Sequence, residues 1–464
     1  MAGLFDGLEM GKRALATHQL WLNTIGHNIS NVNTPGYSRQ RVNIATTDPF
    51  ESPVGPVGTG VSATDIRHVR DLFLNQQFRQ ENRALGQWTT LEKTLSQVEA
   101  LFSEPNTDSL GDLMDKFWSC WSDLGNNPES MAARSALKEQ ANLLTTGFNR
   151  INGQLNDLRK TVDNDVVLAV EKVNSLSGEL AALNMQIART ELGGENANDL
   201  RDKRDYLTDQ LSEYVNVNAA EQANGTVTVY IGSLAIVEGA ASFKIGTSKT
   251  KGESASISRV VWEGTKKEIK VLDGQLKGLL NTRDEIIPRY IEALDDMART
   301  LATSVNALHQ LGFGLDRSTG YNFFDTANMS AAGLKLSDEI QNDVTRIAAS
   351  QEGEIGDNRN ALAIAELRNS KTMSRNTATI IEFYHGLVGG IGAETSKARG
   401  LKENYTLLVE QLENSRQSVQ GVSLDEEMAQ MIKYQHAFDA ASRVITAMDQ
   451  ALDTVINEMG IAGR

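Results

Sequence analysis

Six histidines, at His18, His27, His68, His309, His385 and His436, are the side chains best suited to metal ligation or to proton transfer near neutral pH. None stands in a His-Glu-x-x-His or comparable ligand pair, so their spacing offers no metal site. Carboxylates are dense in Asp199-Leu-Arg-Asp-Lys-Arg-Asp205 and at Asp295-Asp296, where acid–base chemistry is conceivable. Charges of both signs alternate in the first run, and the expectation is a solvated, salt-bridged helix face. Gly55-Pro-Val-Gly-Thr-Gly60 and Gly389-Gly-Ile-Gly392 lack the lysine of a phosphate loop and the leading strand of a dinucleotide fold, so they read as turns and a helix irregularity. Asp316-Arg-Ser-Thr-Gly320 has too few carboxylates for a calcium loop, and no Gly-x-Ser-x-Gly elbow occurs. Cys120 is the one cysteine, which excludes a disulfide framework; with Trp118 and Trp121 it reads as core packing. The chain is therefore expected to be no enzyme, with no catalytic residue, cofactor or metal.

What remains is the chemistry of helix association. From Leu4 two ladders run at seven-residue spacing, one through Leu8, Leu15, Leu22 and Ile29, the other through Leu4, Gly11, His18, Ile25 and Val32. This is an a/d seam, in which His18 serves as a polar residue that fixes register. Pro35 ends the helix, because it disfavours helical backbone at Thr34 and has no N–H to donate. The C-terminal segment carries the most regular pattern: Leu424, Met431, Phe438, Ile445, Leu452 and Met459 recur every seven residues. Its companion ladder reads as Met428 and Gln435, then Ala441, Met448 and Val455, which implies a shift of phase. Ser423 is the expected N-cap with Glu426 closing a capping box, and Asp425, Glu426 and Glu427 suit the positive end of the helix dipole. His436 reads as a surface or interface residue. A seam at each end predicts that the termini come together, either on the body or by association of many copies.

These seams bracket 464 residues with 45 Lys+Arg, 60 Asp+Glu and a net charge of −15. The length predicts two to four domains. The acidic balance and the lack of basic runs argue against a nucleic-acid partner. No apolar stretch is long enough to span a membrane, and the N-terminus lacks the basic flank and apolar middle of a cleavable signal, so these features alone predict a soluble chain outside the Sec route. Seven prolines and 6% aromatics favour long helices. Helical spacing occurs near 69–102, 108–125, 129–190, 199–214, 276–310, 359–370 and 376–420. Residues 35–68 mix β-branched residues with Pro and Gly as an extended arm without a core, and 215–272 read as a small sheet inserted among helices. Residues 321–358 are irregular. The predicted fold is mainly α: a long helical bundle with coiled-coil-forming terminal helices and a small β element.

At the N-terminal turn, Gly26-His-Asn-Ile-Ser-Asn-Val-Asn-Thr-Pro-Gly-Tyr-Ser-Arg-Gln40 resembles the signature shared by rod, hook and hook-associated proteins of the bacterial flagellum. The motif residues are Asn28, Asn31, Asn33, Thr34, Pro35, Gly36, Tyr37, Arg39 and Gln40. Leu424 to Phe438, then Ala441 to Thr446 and Asp449 to Ile456, are similar to that family's closing helix, with His436 where glutamine is expected. Phe102 to Thr107, Leu124 to Arg134, Leu200 to Asp205, and Asn306 to His309 with Gly320 to Phe324 resemble the helical domain of the hook-associated, junction-forming members. Longer relatives insert a β-rich outer domain after the Phe-Phe pair. Here about 30 residues separate Phe324 from Asp357, which implies a reduced outer region over 325–357.

The resemblance implies a structural protein that joins hook to filament, with a hook or distal-rod protein as the alternative. Terminal helices 1–34 and 421–464 would form the inner coiled-coil domain, 35–68 the arm and 69–420 the helical body. The implied self-assembly seam is Leu4, Leu8, Leu15, Leu22, Ile25, Ile29, Leu424, Met431, Phe438, Ile445, Leu452 and Met459. Implied partners are hook protein, the second junction protein, further copies of this chain, and an export chaperone on the C-terminal helix. The resemblance also replaces the expectation about export: axial proteins leave through the flagellar type III channel with no cleaved signal peptide.

Overall fold

A computed structural model describes residues 4–52, 55–102, 109–249 and 257–458. Helix α1 (Leu4–Ser30) is followed by an arm of four strands, β1 (Gln40–Thr46), β2 (Phe50–Ser52), β3 (Gly55–Val57) and β4 (Val61–His68). Helices α2 (Leu72–Phe102), α3 (Leu110–Asn126), α4 (Met131–Thr190) and α5 (Asn198–Tyr214) begin the body. Six strands follow: β5 (Val217–Glu221), β6 (Val227–Ile231), β7 (Leu234–Glu238), β8 (Ala241–Ser242), β9 (Ile245–Lys249) and β10 (Ser258–Trp262). The chain closes with α6 (Gln275–Asn281), α7 (Ile287–His309), α8 (Asp338–Asn342), α9 (Arg359–Ala365), α10 (Ile380–Gln420) and α11 (Leu424–Asp453). The protein is mainly α, with small antiparallel sheets and, among the described residues, no β barrel or large outer β domain.

Helix α4 is the mast of the body. Its 60 residues reach about 90 Å, and it starts on Ser130, whose side chain accepts from the Ala133 N–H. Buried positions such as Leu137, Leu144, Phe148, Ile151, Leu155, Val162, Val166, Val173, Leu180 and Ile187 keep helical spacing along it. Helix α3 is capped by Ser109, packs against α4, and buries Phe117, Trp118 and Trp121, with Phe117 meeting the rings of Phe323 and Phe324 and Trp121 those of Phe323 and His309. Cys120 is half-buried beside them, and burial raises its thiol pKa, which keeps it inert. Helices α6 and α7 form one rod with a π-helical turn at Thr282–Ile286. The sheet β5-β6-β7-β8 and the β9–β10 pair lie against α4, where Asn184 and Asn174 bond their strands.

Residues 325–357 pack into the body instead of projecting from it. Asp325 N–H donates to Lys335 O at 2.9 Å, which closes the segment's base, while Ala331, Leu334, Leu336, Ile340 and Ile347 are buried. Asn149 on α4 donates to the carbonyls of Ala331 and Leu334, and Asp295 on α7 accepts from the Ala331 N–H. A low apolar period hid this from the sequence, because the segment is held by backbone bonds to side chains far away in the chain.

His309 pins the same segment. It is 1% exposed, among Trp121 and Phe323, with Nδ1 on Tyr321 O at 2.8 Å and Nε2 accepting from the Ala348 N–H at 2.9 Å. That arrangement requires neutral imidazole with the proton on Nδ1. Burial pushes its pKa down to about 4, the Tyr321 carbonyl opposes the shift and the Arg134 charge reinforces it. The unfolded chain takes up this proton near pH 6.5 and the folded chain does not. The His309 contribution is therefore complete above that pH and is lost as pH falls to about 4, on the order of 3 kcal/mol. Thermal unfolding from pH 7.5 to 4 is expected to show this slope, and His309→Gln, which cannot titrate, is expected to remove it. Equal slopes in both proteins would exclude the latch.

Three local readings change. The Gly389–Gly392 stretch runs inside α10 with no break. The arm does contribute to packing: β1 pairs with β4, and Val42 is 3% exposed. Thr379 and Glu382 form the full capping box, at α10. At α11, Ser423 caps the helix, while Glu426 turns to Arg39 instead of returning to Ser423. The stretch Glu104-Pro-Asn106, between the helical spacings of 69–102 and 108–125, lies outside the described residues.

Candidate functional site

Helices α1 and α11 pack as an antiparallel pair, which brings the two ends of the chain together. Close approach is set by Gly7 and Gly11. A Cβ on Gly11 would meet Ile445 Cγ1 at 2.7 Å, and one on Gly7 would collide with Met448 Sδ. Further along, the Trp21 and Tyr434 rings stack at 4.5 Å with 11° between planes, and His18 lies 6.0 Å from Tyr434. Burial lowers the His18 pKa, so it sits in the pair as neutral imidazole.

On α11 the residues turned toward α1 are Glu427, Met431, Tyr434, Phe438, Ala441, Ile445, Met448 and Leu452, spaced 4-3-4-3-4-3-4. The companion ladder thus keeps one phase throughout, through Glu427, Tyr434, Ala441 and Met448. The shift expected from Met428, Gln435 and Val455 does not occur, because a carboxylate and a phenol fill positions that hydrophobicity alone passes over. On α1, Ile25 is buried, and Leu8, Leu15, Leu22 and Ile29 are half-buried. Leu424 is exposed, and with Met428 and Ile432 it forms an outward apolar stripe at i, i+4 and i+8 on α11. The Leu4 side chain and Met459 lie outside the described residues.

At the far end of the pair the signature turn makes a buried polar knot. Asn28, 1% exposed, uses its amide fully: Nδ2 donates to Gln40 O and Glu427 Oε2, both at 3.0 Å, and Oδ1 accepts from Tyr37 OH and Gln40 N–H at 2.8 and 2.9 Å. Burial first, then the charges of Asp199, Asp202 and Glu427, push the Tyr37 phenol far above its ordinary range. Since its proton goes to Asn28, it accepts from His27 Nδ1. Asn31 and Thr34 close the turn through Thr34 N–H to Asn31 O, and Gly36 takes φ +77 where a Cβ would strike Tyr206. Asn33 and Pro35 line a cleft of about 710 Å³ between this turn and α10, together with Phe78, Tyr206 and Val409.

The acidic run on α5 anchors this knot to the body, which corrects its reading as a solvated face. Asp202, Arg204 and Asp209 are 4%, 3% and 7% exposed. Asp199 accepts from Gln40 Nε2 at 2.7 Å, and Asp202 from the Ser38 N–H and His68 Nδ1, both at 2.8 Å. Asp205 accepts from Arg70 Nη1, while Asp209 bridges Arg79 Nε at 2.6 Å and Arg416 Nη2 at 2.7 Å. Burial opposes ionisation of Asp205, yet Arg70, Arg79 and Arg204 outweigh it and lower its pKa. The 3-3-4 spacing of these four aspartates places them on one helix face, which the sequence shows without showing that the face is buried. Arg39 N–H donates to Gln420 O and its guanidinium to Glu426, and Val69 N–H donates to Arg39 O, so three chain segments meet where the pair joins the body.

The arrangement is built for positioning. Among the described residues no group of three His, Cys, Asp or Glu side chains could hold a metal, and no helix is long and apolar enough to cross a membrane. Asp295 is used by the Ala331 N–H, and Asp296 pairs with Arg299.

Known proteins resemble the chain over both parts. The helical domain of flagellar hook-associated protein FlgK matches residues 95–324, the C-terminal model of the flagellar basal-body rod FlgEFG proteins matches 415–458, and the basal-body rod protein model matches 8–37. Flagellar hook-associated protein 1 of Bacillus subtilis is 33% identical over 514 aligned residues that take in 100% of both chains. The Escherichia coli protein of that name is 25% identical, covering 98% of this chain and 100% of its own. A solved structure of the flagellar hook junction protein FlgK from Burkholderia pseudomallei superposes with a TM-score of 0.66 at 18% identity, over 74% of this chain and 100% of that one, and shares the fold.

Proposed function

Because this chain belongs to the family of flagellar hook-associated protein 1 and is a structural, hook-associated component of the bacterial flagellum, we propose that it is the adaptor that joins hook to filament. The observation that carries this reading is the outward stripe of Leu424, Met428 and Ile432 on a helix whose other face is already occupied by α1. A two-helix pair with a second apolar face is made to sit among neighbours, and a head-to-tail contact that does not close gives a helical polymer. The terminal pair forms the inner layer of the flagellar axis, and the body 69–420 forms the layer outside it. Hook protein lies on one side and the second junction protein on the other.

The chain reaches this place through the flagellar type III channel without a cleaved signal peptide, its C-terminal helix held beforehand by an export chaperone. In this role it catalyses nothing and needs no cofactor. Deleting the gene in its own bacterium is expected to leave finished hooks without filaments, with unpolymerised flagellin in the medium, as seen by electron microscopy and immunoblotting. Missing hooks would instead make it a rod or hook protein, and normal filaments would refute the adaptor role.

A further inference from the structure

Between α9 and α10 the backbone does something that L-residues avoid. Ser374, Arg375 and Asn376 have φ of 50°, 59° and 63°, three successive non-glycine residues in the left-handed region. Thr377 N–H donates to Met373 O at 3.1 Å across them, so the segment is a single turn of left-handed helix. Each such residue is strained by its own Cβ, and only asparagine tolerates the conformation with ease. Glycine occupies eleven other left-handed positions among the described residues, and would relieve the strain here.

The turn is held rigidly. Met373 N–H donates to Ala378 O at 2.9 Å, Thr377 Oγ1 donates to Ser374 O at 2.8 Å, and Met373 is buried beneath as an anchor. The next residue, Thr379, is the N-cap of α10 with its full capping box. At the tip Arg375 is exposed, as is Lys371 at the base, and Arg375 has no ion-pair partner among the described residues. A strained, clamped turn that presents an unpaired guanidinium on an exposed surface is poorly explained by stability, because strain of this kind persists where something else depends on the shape.

We infer that the Met373–Ala378 turn is a docking knob that seats Arg375 against carboxylates on the body of a second copy of this chain. Charge complementarity selects that occupant: the chain carries 60 acidic against 45 basic residues, so a neighbouring copy presents a surface rich in carboxylates. Guanidinium is suited to this contact, since it offers donors in a fixed fork. The contact joins two different surfaces of the chain and is heterologous, which suits an open helical assembly. This inference rests on the self-assembly proposed above.

The test uses the full chain in a strain deleted for the gene. Arg375→Gly relieves strain and removes the guanidinium; its unfolding midpoint is expected to rise by about 2–4 °C, while attached filaments fall tenfold or more. Arg375→Glu is expected to be exported and folded, and to lose filaments more completely. A purely local role would move stability without moving filament number. A photo-crosslinking residue at position 375 is expected to give a product of twice the chain mass. Filament counts unchanged by Arg375→Glu, or a crosslink to a different protein alone, would overturn the knob while leaving self-assembly intact. Failure of the wild-type gene to restore filaments would overturn the assembly reading itself and the knob with it.

Discussion

Ile445→Asp is expected to abolish attached filaments while the helical body still unfolds at its usual temperature. Ile445 Cγ1 sits in the notch left by Gly11, where a Cβ would already be at 2.7 Å. A carboxylate in that notch loses water without gaining a designed partner, at a cost of about 2–4 kcal/mol. An isolated helix pair has little stability to spare, so this is enough to separate α11 from α1. Hydrogen exchange across residues 424–458 is expected to become fast, with exchange in α4 unchanged. Normal filament assembly by Ile445→Asp would show that the seam is not used.

The second large effect is expected at Asp209. Its two oxygens bridge Arg79 on α2 and Arg416 on α10. Burial works against the charge of Arg79, but Asp209 and Asp205 more than offset it and raise its pKa. Asp209→Ala removes the nearest carboxylate from two poorly hydrated guanidinium groups, leaving Arg79 to Asp205 at 3.8 Å and Arg416 to Glu413 at 3.3 Å, an effect of about 3 kcal/mol. For a body of this size that corresponds to a fall of about 10 °C in Tm. Asp209→Asn retains an acceptor and is expected to lose less. A midpoint within two degrees or so of wild type for Asp209→Ala would mean that water solvates both arginines.

Much of this was legible in the sequence for a definite reason. Heptad spacing is local, so Met431, Phe438, Ile445 and Leu452 announced one face of α11 directly. The extents of α3, α4 and α5 followed from helical spacing interrupted by Gly and Pro, while the Ser109 and Ser130 caps of α3 and α4 were seen only in the structure. The anchor was not legible, because its meaning depends on partners far along the chain. Asp202 meets His68 across 134 positions and Asp209 meets Arg416 across 207, and no local pattern distinguishes those carboxylates from a solvated row. Glu427 was hidden similarly: its partner Asn28 lies 399 residues away. The family resemblance marked Asn28, Tyr37 and Gln40, and the structure shows what they share, one saturated amide.

At the joint between the terminal pair and the body three backbone segments are tied to one another, at Arg39, Val69 and Gln420. A single tether would behave as a swivel, free to spin and unable to carry a twisting load. Segments cross-bonded in this way, and braced by the aspartates of α5, oppose rotation of the pair against the body. A twist applied to the terminal pair is therefore expected to load several of these hydrogen bonds together. The open cleft lined by Pro35 and Val409 lies beside this joint, so a force that bends the subunit toward it meets open space before it meets packed side chains.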